Sequence, residues 1–205
     1  MNQSHIPHGF DEFLREFAEK MPNIDYVWSK QKEQSCQWLL DRIPTGTKGI
    51  DVGGTEYLCQ KLEEKGCDVI YYDLFPPKSF PRSIQNDMLQ VLKYFDPKSL
   101  DFITTRHTLE HSIVPLFQLW AYNRLLKDGG KLYVIVPMHN ETWIKYPTHF
   151  NCLPYENWKM LFHRAGFGIV ASDAGTWSTR DAGYIEFRFE LRIEVRHLRL
   201  RHGSP

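Results

Sequence analysis

The sequence predicts a three-layer α/β domain, a mostly parallel sheet of about seven strands with helices on both faces. Three observations carry that prediction. Gly49 to Asp73, GIDVGGTEYLCQKLEEKGCDVIYYD, is one β-α-β unit: a short apolar run, a helix-like segment and a second apolar run, Val69 to Tyr72. Lys131 to Pro137 is a continuous apolar run, the mark of a parallel strand buried on both faces. Tyr184 to Arg196 alternates apolar and charged residues and reads as a further strand. At 205 residues the chain is long enough for one well-buried domain, 1–205, and too short for two ordinary ones.

Bulk charge narrows the function classes. Lysine plus arginine, 25, equals aspartate plus glutamate, 25, so no long-range field draws the chain to phosphate backbones or anionic lipid, and neither nucleic acid nor membrane is an expected partner. The four cysteines, Cys36, Cys59, Cys67 and Cys152, lack the paired spacing of zinc or redox centres and are expected to be reduced thiols in a cytoplasmic protein. The N-terminus lacks the basic-then-apolar order of a signal peptide, and no apolar run is long enough to span a bilayer.

Taken in order, Phe10 to Lys20 places Phe10, Phe13, Leu14 and Phe17 at helical spacing, and a second helix is expected from about Ser29 to Asp41, ended by Pro44 and Gly46. These make residues 1–45 a helical segment ahead of the core unit. Within that unit Gly53 and Gly54 follow a strand, where the lack of a Cβ lets the backbone turn tightly and approach a ligand. Asp73 closes the second strand, where a parallel sheet opens its crevice and a carboxylate can accept both hydroxyls of a ribose. The prolines at 76, 77 and 81 keep the next stretch a loop.

Ser99 to Thr105 reads as the fourth strand and leads into Arg106-His107-Thr108-Leu109-Glu110-His111. His107, Glu110 and His111 have the spacing that would put three metal ligands on one helical face, but Ser112 and Pro115 start the helix at or after this segment, so no metal site is expected. Val114 to Lys127 is expected to be helix, stopped by Asp128-Gly129-Gly130. Met138 to Asn151 is a loop rich in aromatics and histidines. Pro154 to Ala165 forms another helix, capped by Gly166, and Phe167 to Ala171 a sixth strand. In the last strand Glu186, Arg188 and Glu190 are expected on a solvated face as cross-strand charge pairs. Its thirteen residues would reach about 43 Å, so part is expected to project and offer a contact for a homo-oligomer. The basic tail, Arg196 to His202, reads as a solvated end.

Two stretches resemble the class I S-adenosylmethionine (SAM) dependent methyltransferases of small-molecule type: Gly49 to Asp73, and Asp101 to His111 with LLKDGGKLYVIVP and LFHRAGFGIV downstream. The likeness covers roughly Lys48 to Val170. The family's D-x-G-x-G-x-G turn is one residue shorter here, so Gly53 and Gly54 stand for its first two glycines and Glu56 replaces the third. The resemblance implies a Rossmann-like fold whose last strand runs antiparallel beside the fifth, SAM as cofactor, a small-molecule acceptor and an N-terminal helical cover. It places Asp51, Gly53, Gly54 and Thr55 at the methionine and sugar end, Asp73 at the ribose, Leu74 in the loop lining the adenosine pocket, and Asp87 with Met88 at the adenine. Thr105, Arg106 and His107 approach the methionine part. It also lays Pro147 to Phe150 over the active site; a histidine titrating near neutrality is the natural general base, and His149 is the first choice for that role and His111 the second.

The resemblance implies methylation of an oxygen or nitrogen on a small polar metabolite, of which a sugar is one example. A nicotinamide oxidoreductase would want G-x-G-x-x-G, which residues 53–58 lack. Two alternatives stay open. One is a non-catalytic module with weakened SAM binding, favoured if Glu56 points into the pocket and disfavoured if it turns to solvent. The other is a nucleic-acid methyltransferase, which fits poorly with neutral charge and with Thr105-Arg106-His107 in place of an Asn/Asp-Pro-Pro-aromatic run.

Overall fold

A computed structural model describes residues 33–77, 79–176 and 185–194. The helix expected at Phe10 to Lys20, the start of the one at Ser29, the turn with Asp181 and Gly183 and the basic tail lie outside the described residues. In chain order the elements are α1 (Glu33–Leu40), β1 (Lys48–Val52), α2 (Glu56–Glu64), β2 (Asp68–Asp73), β3 (Ser83–Gln85), β4 (Leu100–Arg106), α3 (Pro115–Leu125), β5 (Leu126–Pro137), α4 (Glu141–Ile144), α5 (Tyr155–Arg164), β6 (Phe167–Thr176) and β7 (Ile185–Ile193). Short 3₁₀ turns occupy Met88–Lys93 and Leu109–His111.

The seven strands form one sheet in the order β3-β2-β1-β4-β5-β7-β6. The pairs from β3 to β5 are parallel, and β7 is antiparallel to both β5 and β6, as the resemblance implies. Alternation along the strands divides the core between the two faces. In β5, Leu132, Val134 and Val136 join Leu119 and Tyr122 of α3 and Trp158 and Phe162 of α5 on one face. Tyr133 and Ile135 join Trp38 and Leu39 of α1 and Leu58 and Leu62 of α2 on the other. The four cysteines are free and buried. No helix among the described residues is long and apolar enough to cross a membrane.

Several boundaries differ from the sequence reading. Helix α3 ends at Leu125 and β5 begins at Leu126, so Asp128-Gly129-Gly130 lies inside the strand and not at a helix stop. The ladder with β4 jumps there, from Leu100 opposite Leu126 to Phe102 opposite Lys131, and Gly129 at φ +84 absorbs the extra residues. The loop expected from Met138 to Asn151 contains α4, started by Asn140, whose side chain accepts from the Trp143 amide. Strand β6 extends five residues past its expected end.

The charged face of β7 is the main correction. Glu186, Arg188 and Glu190 are buried, not solvated, because that face of the sheet is covered by the α1 layer. Glu186 accepts from Ser35 Oγ of α1 at 2.7 Å, and Glu190 pairs with Lys131 and with Arg42. Strand β7 is also paired on both sides, so its described part has no free edge to offer a second chain.

Candidate active site

Strand order reverses between β1 and β4, and the crevice beyond their carboxyl ends is where such a sheet binds ligands. Register sets Val52 of β1 opposite both Tyr72 and Thr105, which brings Gly53, Asp73 and Arg106 to one level at that end.

Asp51 shapes the turn from beneath. It is fully buried, its Oδ1 accepting from Thr104 Oγ1 at 2.7 Å and its Oδ2 from the Thr55 amide at 3.1 Å. Burial pushes its carboxyl up to about 6, against the pull of the Thr104 hydroxyl and the Arg106 charge. A Cβ on Gly54 would fall inside this carboxylate, and one on Gly53, at φ +64, would meet the Thr108 hydroxyl. Thr55 then caps α2 by accepting from the Leu58 amide. Glycine is needed at both positions because Asp51 and Thr108 already occupy the places a Cβ would take, so the turn packs directly on them beside the positive end of a helix.

Asp73 stands at the neighbouring strand end. Its Oδ1 accepts from the Phe75 amide at 2.7 Å and its Oδ2 from the Tyr71 hydroxyl at 3.5 Å. Burial raises its carboxyl above the ordinary range. Glu56 does not enter this space. Its carboxylate accepts from Gln60 at 3.0 Å and from Ser79 of the following loop at 2.9 Å, both at the surface, where the α2 N-terminus favours negative charge.

Other expected cofactor residues serve the scaffold in this geometry. Asp87 starts the 3₁₀ turn by accepting from the Leu89 amide at 2.8 Å, and Met88 packs against the core. The Leu74 carbonyl accepts from Gln85. Thr105 is buried beside Tyr122, and Arg106 is buried completely, within electrostatic reach of Asp51 and Cys36.

His107 leaves β4 at φ +50 and inserts between two fully buried carboxylates. Its Nε2 lies 3.0 Å from Glu186 Oε2 and its Nδ1 3.4 Å from Glu110 Oε1. Burial opposes every charge here, yet the mutual hydrogen bonds and ion pairs win. They raise His107 and hold Glu110 below its ordinary value, and with Arg188 and Ser35 they keep Glu186 at about 2. Ser35, Glu186 and Arg188 are absent from the expected site. The signal available was an acidic residue inside a strand that must lie beside β5.

His111 and His149 meet across the crevice, ring centroids 4.7 Å apart and nearly perpendicular. His111 Nδ1 lies 2.8 Å from the Thr148 carbonyl and His149 Nδ1 3.0 Å from the Trp143 carbonyl. A carbonyl only accepts, so both Nδ1 atoms carry the proton and both Nε2 atoms present lone pairs in the neutral rings. His149 stacks on Trp143, and burial lowers its pKa from the ordinary value, which favours the neutral ring.

The model of a family described as a methyltransferase domain matches residues 13–172. No curated protein matches the chain in sequence. Among solved structures, a 1,6-didemethyltoxoflavin-N1-methyltransferase of Burkholderia thailandensis, bound to 1,6-didemethyltoxoflavin and S-adenosylhomocysteine, superposes with a TM-score of 0.72 at 16% identity, over 95% of this chain and 93% of its own. A SAM-dependent methyltransferase from Archaeoglobus fulgidus gives 0.67 at 14% identity, over 89% and 97%. The [4+2]-cyclase SpnF gives 0.65 at 14% identity, over 83% and 85%. At such identities the likeness is one of fold, and the fold accompanies more than one reaction.

Proposed function

The chain belongs to the methyltransferase-domain family, and from that premise we propose that it transfers the methyl group of SAM to an oxygen or nitrogen of a small polar metabolite. The observation that carries this reading is one constellation at the carboxyl ends of β1, β2 and β4. A glycine turn is packed on a buried Asp51, a carboxylate stands at Asp73, and the imidazoles of His111 and His149 lie with their ring centroids 4.7 Å apart.

The residues present fit the cofactor. With no side chain on Gly53 or Gly54 the backbone of the turn can come close to a ligand, and a carboxylate at the end of β2, Asp73, is the group that accepts ribose hydroxyls. Glu56, turned to the surface, favours retained binding over a non-catalytic module. When bound, SAM would supply a methyl group already activated by its sulfonium. The protein's share is alignment and proton removal. His149 Nε2 is the first candidate to take the acceptor's proton and His111 Nε2 the second; their Nδ1 bonds to backbone carbonyls fix both rings for it. Neutral net charge favours a small acceptor over nucleic acid.

Incubation with methyl-labelled SAM and fractionated cell extract tests the acceptor class. Label in the small-metabolite fraction, with matching S-adenosylhomocysteine, is the expected outcome. Label in the nucleic-acid fraction alone would overturn the class proposed.

A further inference from the structure

Three side chains at the acceptor side of the crevice come together in a way that methyl transfer by itself does not require. Glu110, His111 and His149 each bring a potential ligand atom to within 4.8 Å of the others. They come from two separate segments, the 3₁₀ turn after β4 and the loop after α4. Backbone bonds fasten the segments together: the amides of Phe150 and Asn151 both donate to the Glu110 carbonyl, at 2.8 and 3.0 Å.

Two independent features point to a cation. Metal-binding histidines ordinarily donate one ring N–H to a carbonyl or carboxylate, which fixes the tautomer and aims the other nitrogen. Both His111 and His149 do this, through Nδ1 to Thr148 and Trp143, and both Nε2 atoms are left as lone pairs. Glu110 is completely buried, yet neither carboxylate oxygen makes a hydrogen bond of normal geometry among the described residues, and His107 Nδ1 approaches Oε1 only to 3.4 Å. Beyond that ionic contact the buried carboxylate has lone pairs left for an ion or water.

We propose that Glu110 and the Nε2 atoms of His111 and His149 bind a first-row divalent cation such as Zn²⁺, with positions left open toward the acceptor. Two imidazoles and a carboxylate are the donor set that suits such metals, and three protein ligands with an open position is the pattern of catalytic zinc. Bonds of about 2.1 Å need donor atoms about 3.4 Å apart, so the site closes on the cation by a side-chain rotation of about an ångström. The helical face of His107, Glu110 and His111 is not the site, because His107 is committed to Glu186 and Glu110. Binding of the cation does not depend on the methyltransferase reading, but its use does. An acceptor hydroxyl that enters an open position would have a lowered pKa and release its proton to solvent, and the imidazoles would then act as ligands and not as bases.

The test uses the full chain, stripped by a chelator and titrated with Zn²⁺ by calorimetry and with Co²⁺ by visible absorption, without SAM. One cation per chain is expected, with the intense d–d bands of a low-coordinate nitrogen and oxygen site. His111→Ala and His149→Ala, each checked for folding by circular dichroism, should weaken binding at least tenfold, and His163→Ala on the surface should not. No stoichiometric binding, or binding that neither crevice histidine affects, would overturn the proposal. A separate SAM titration on the same stripped protein reads the methyltransferase reading, so the two fail independently.

Discussion

Glu186 Oε2 lies 3.0 Å from His107 Nε2, both side chains buried, and this pair ties the start of β7 to the end of β4 at the mouth of the crevice. The second oxygen of Glu186 accepts from Ser35 and from Arg188 Nε, each at 2.7 Å, so α1 and the sheet meet on one carboxylate.

Removing that charge leaves a buried histidine and arginine short of their partner. Glu186→Gln is expected to cost about 3–5 kcal/mol in urea unfolding near pH 6. The pH dependence follows from the shifts. Glu186, depressed to about 2, stabilises above its ordinary 4.5 and loses that contribution as pH falls through 2. His107, raised above its ordinary 6.5, stabilises below that value and loses its contribution as pH rises through the raised one. The difference between the wild-type and Glu186→Gln stability curves should therefore be largest between about pH 4.5 and 6.5 and shrink on both sides. A difference flat with pH would contradict the pairing.

Gly54→Ala places a methyl group inside the Asp51 carboxylate. The turn must move, at a cost of about 1–3 kcal/mol, and SAM affinity should fall at least tenfold because the cradle moves with it. Unfolding curves and a SAM titration on the same preparation check both. Unchanged affinity would mean that the turn is not the cofactor's cradle.

Glu56→Ala should do little. Its carboxylate faces Gln60 and Ser79 at the surface, so stability should change by no more than about 0.5 kcal/mol and SAM affinity by less than about twofold. A variant that binds SAM much more tightly than wild type would show that Glu56 obstructs the pocket after all.

The sheet and its switch point were legible because apolar runs and glycine turns report local geometry directly: GIDV, closed by Gly53 and Gly54, and LYVIVP are strands buried on both faces, and few other sequences suit that place. The family likeness extended this to the antiparallel β7. Burial of its polar face was not legible, since alternation gives the period of a strand but not what covers each side. Glu186 looked like a solvated charge until α1 supplied Ser35 and the turn after β4 supplied His107, both remote in sequence. The helix stop misread at Gly129 has the same origin. Asp-Gly-Gly punctuates either a helix end or a bulged strand, and the register with β4 decides between them. The pairing of His111 with His149 likewise depends on how the loop after α4 folds back, which no spacing encodes.

Calorimetric titration of the purified chain with SAM and with S-adenosylhomocysteine, repeated on Asp73→Ala, tests the central claim most directly. Saturable binding at micromolar strength is predicted for the wild type, weakened more than about tenfold when the Asp73 carboxylate is lost. No heat with either ligand from folded protein would contradict the account.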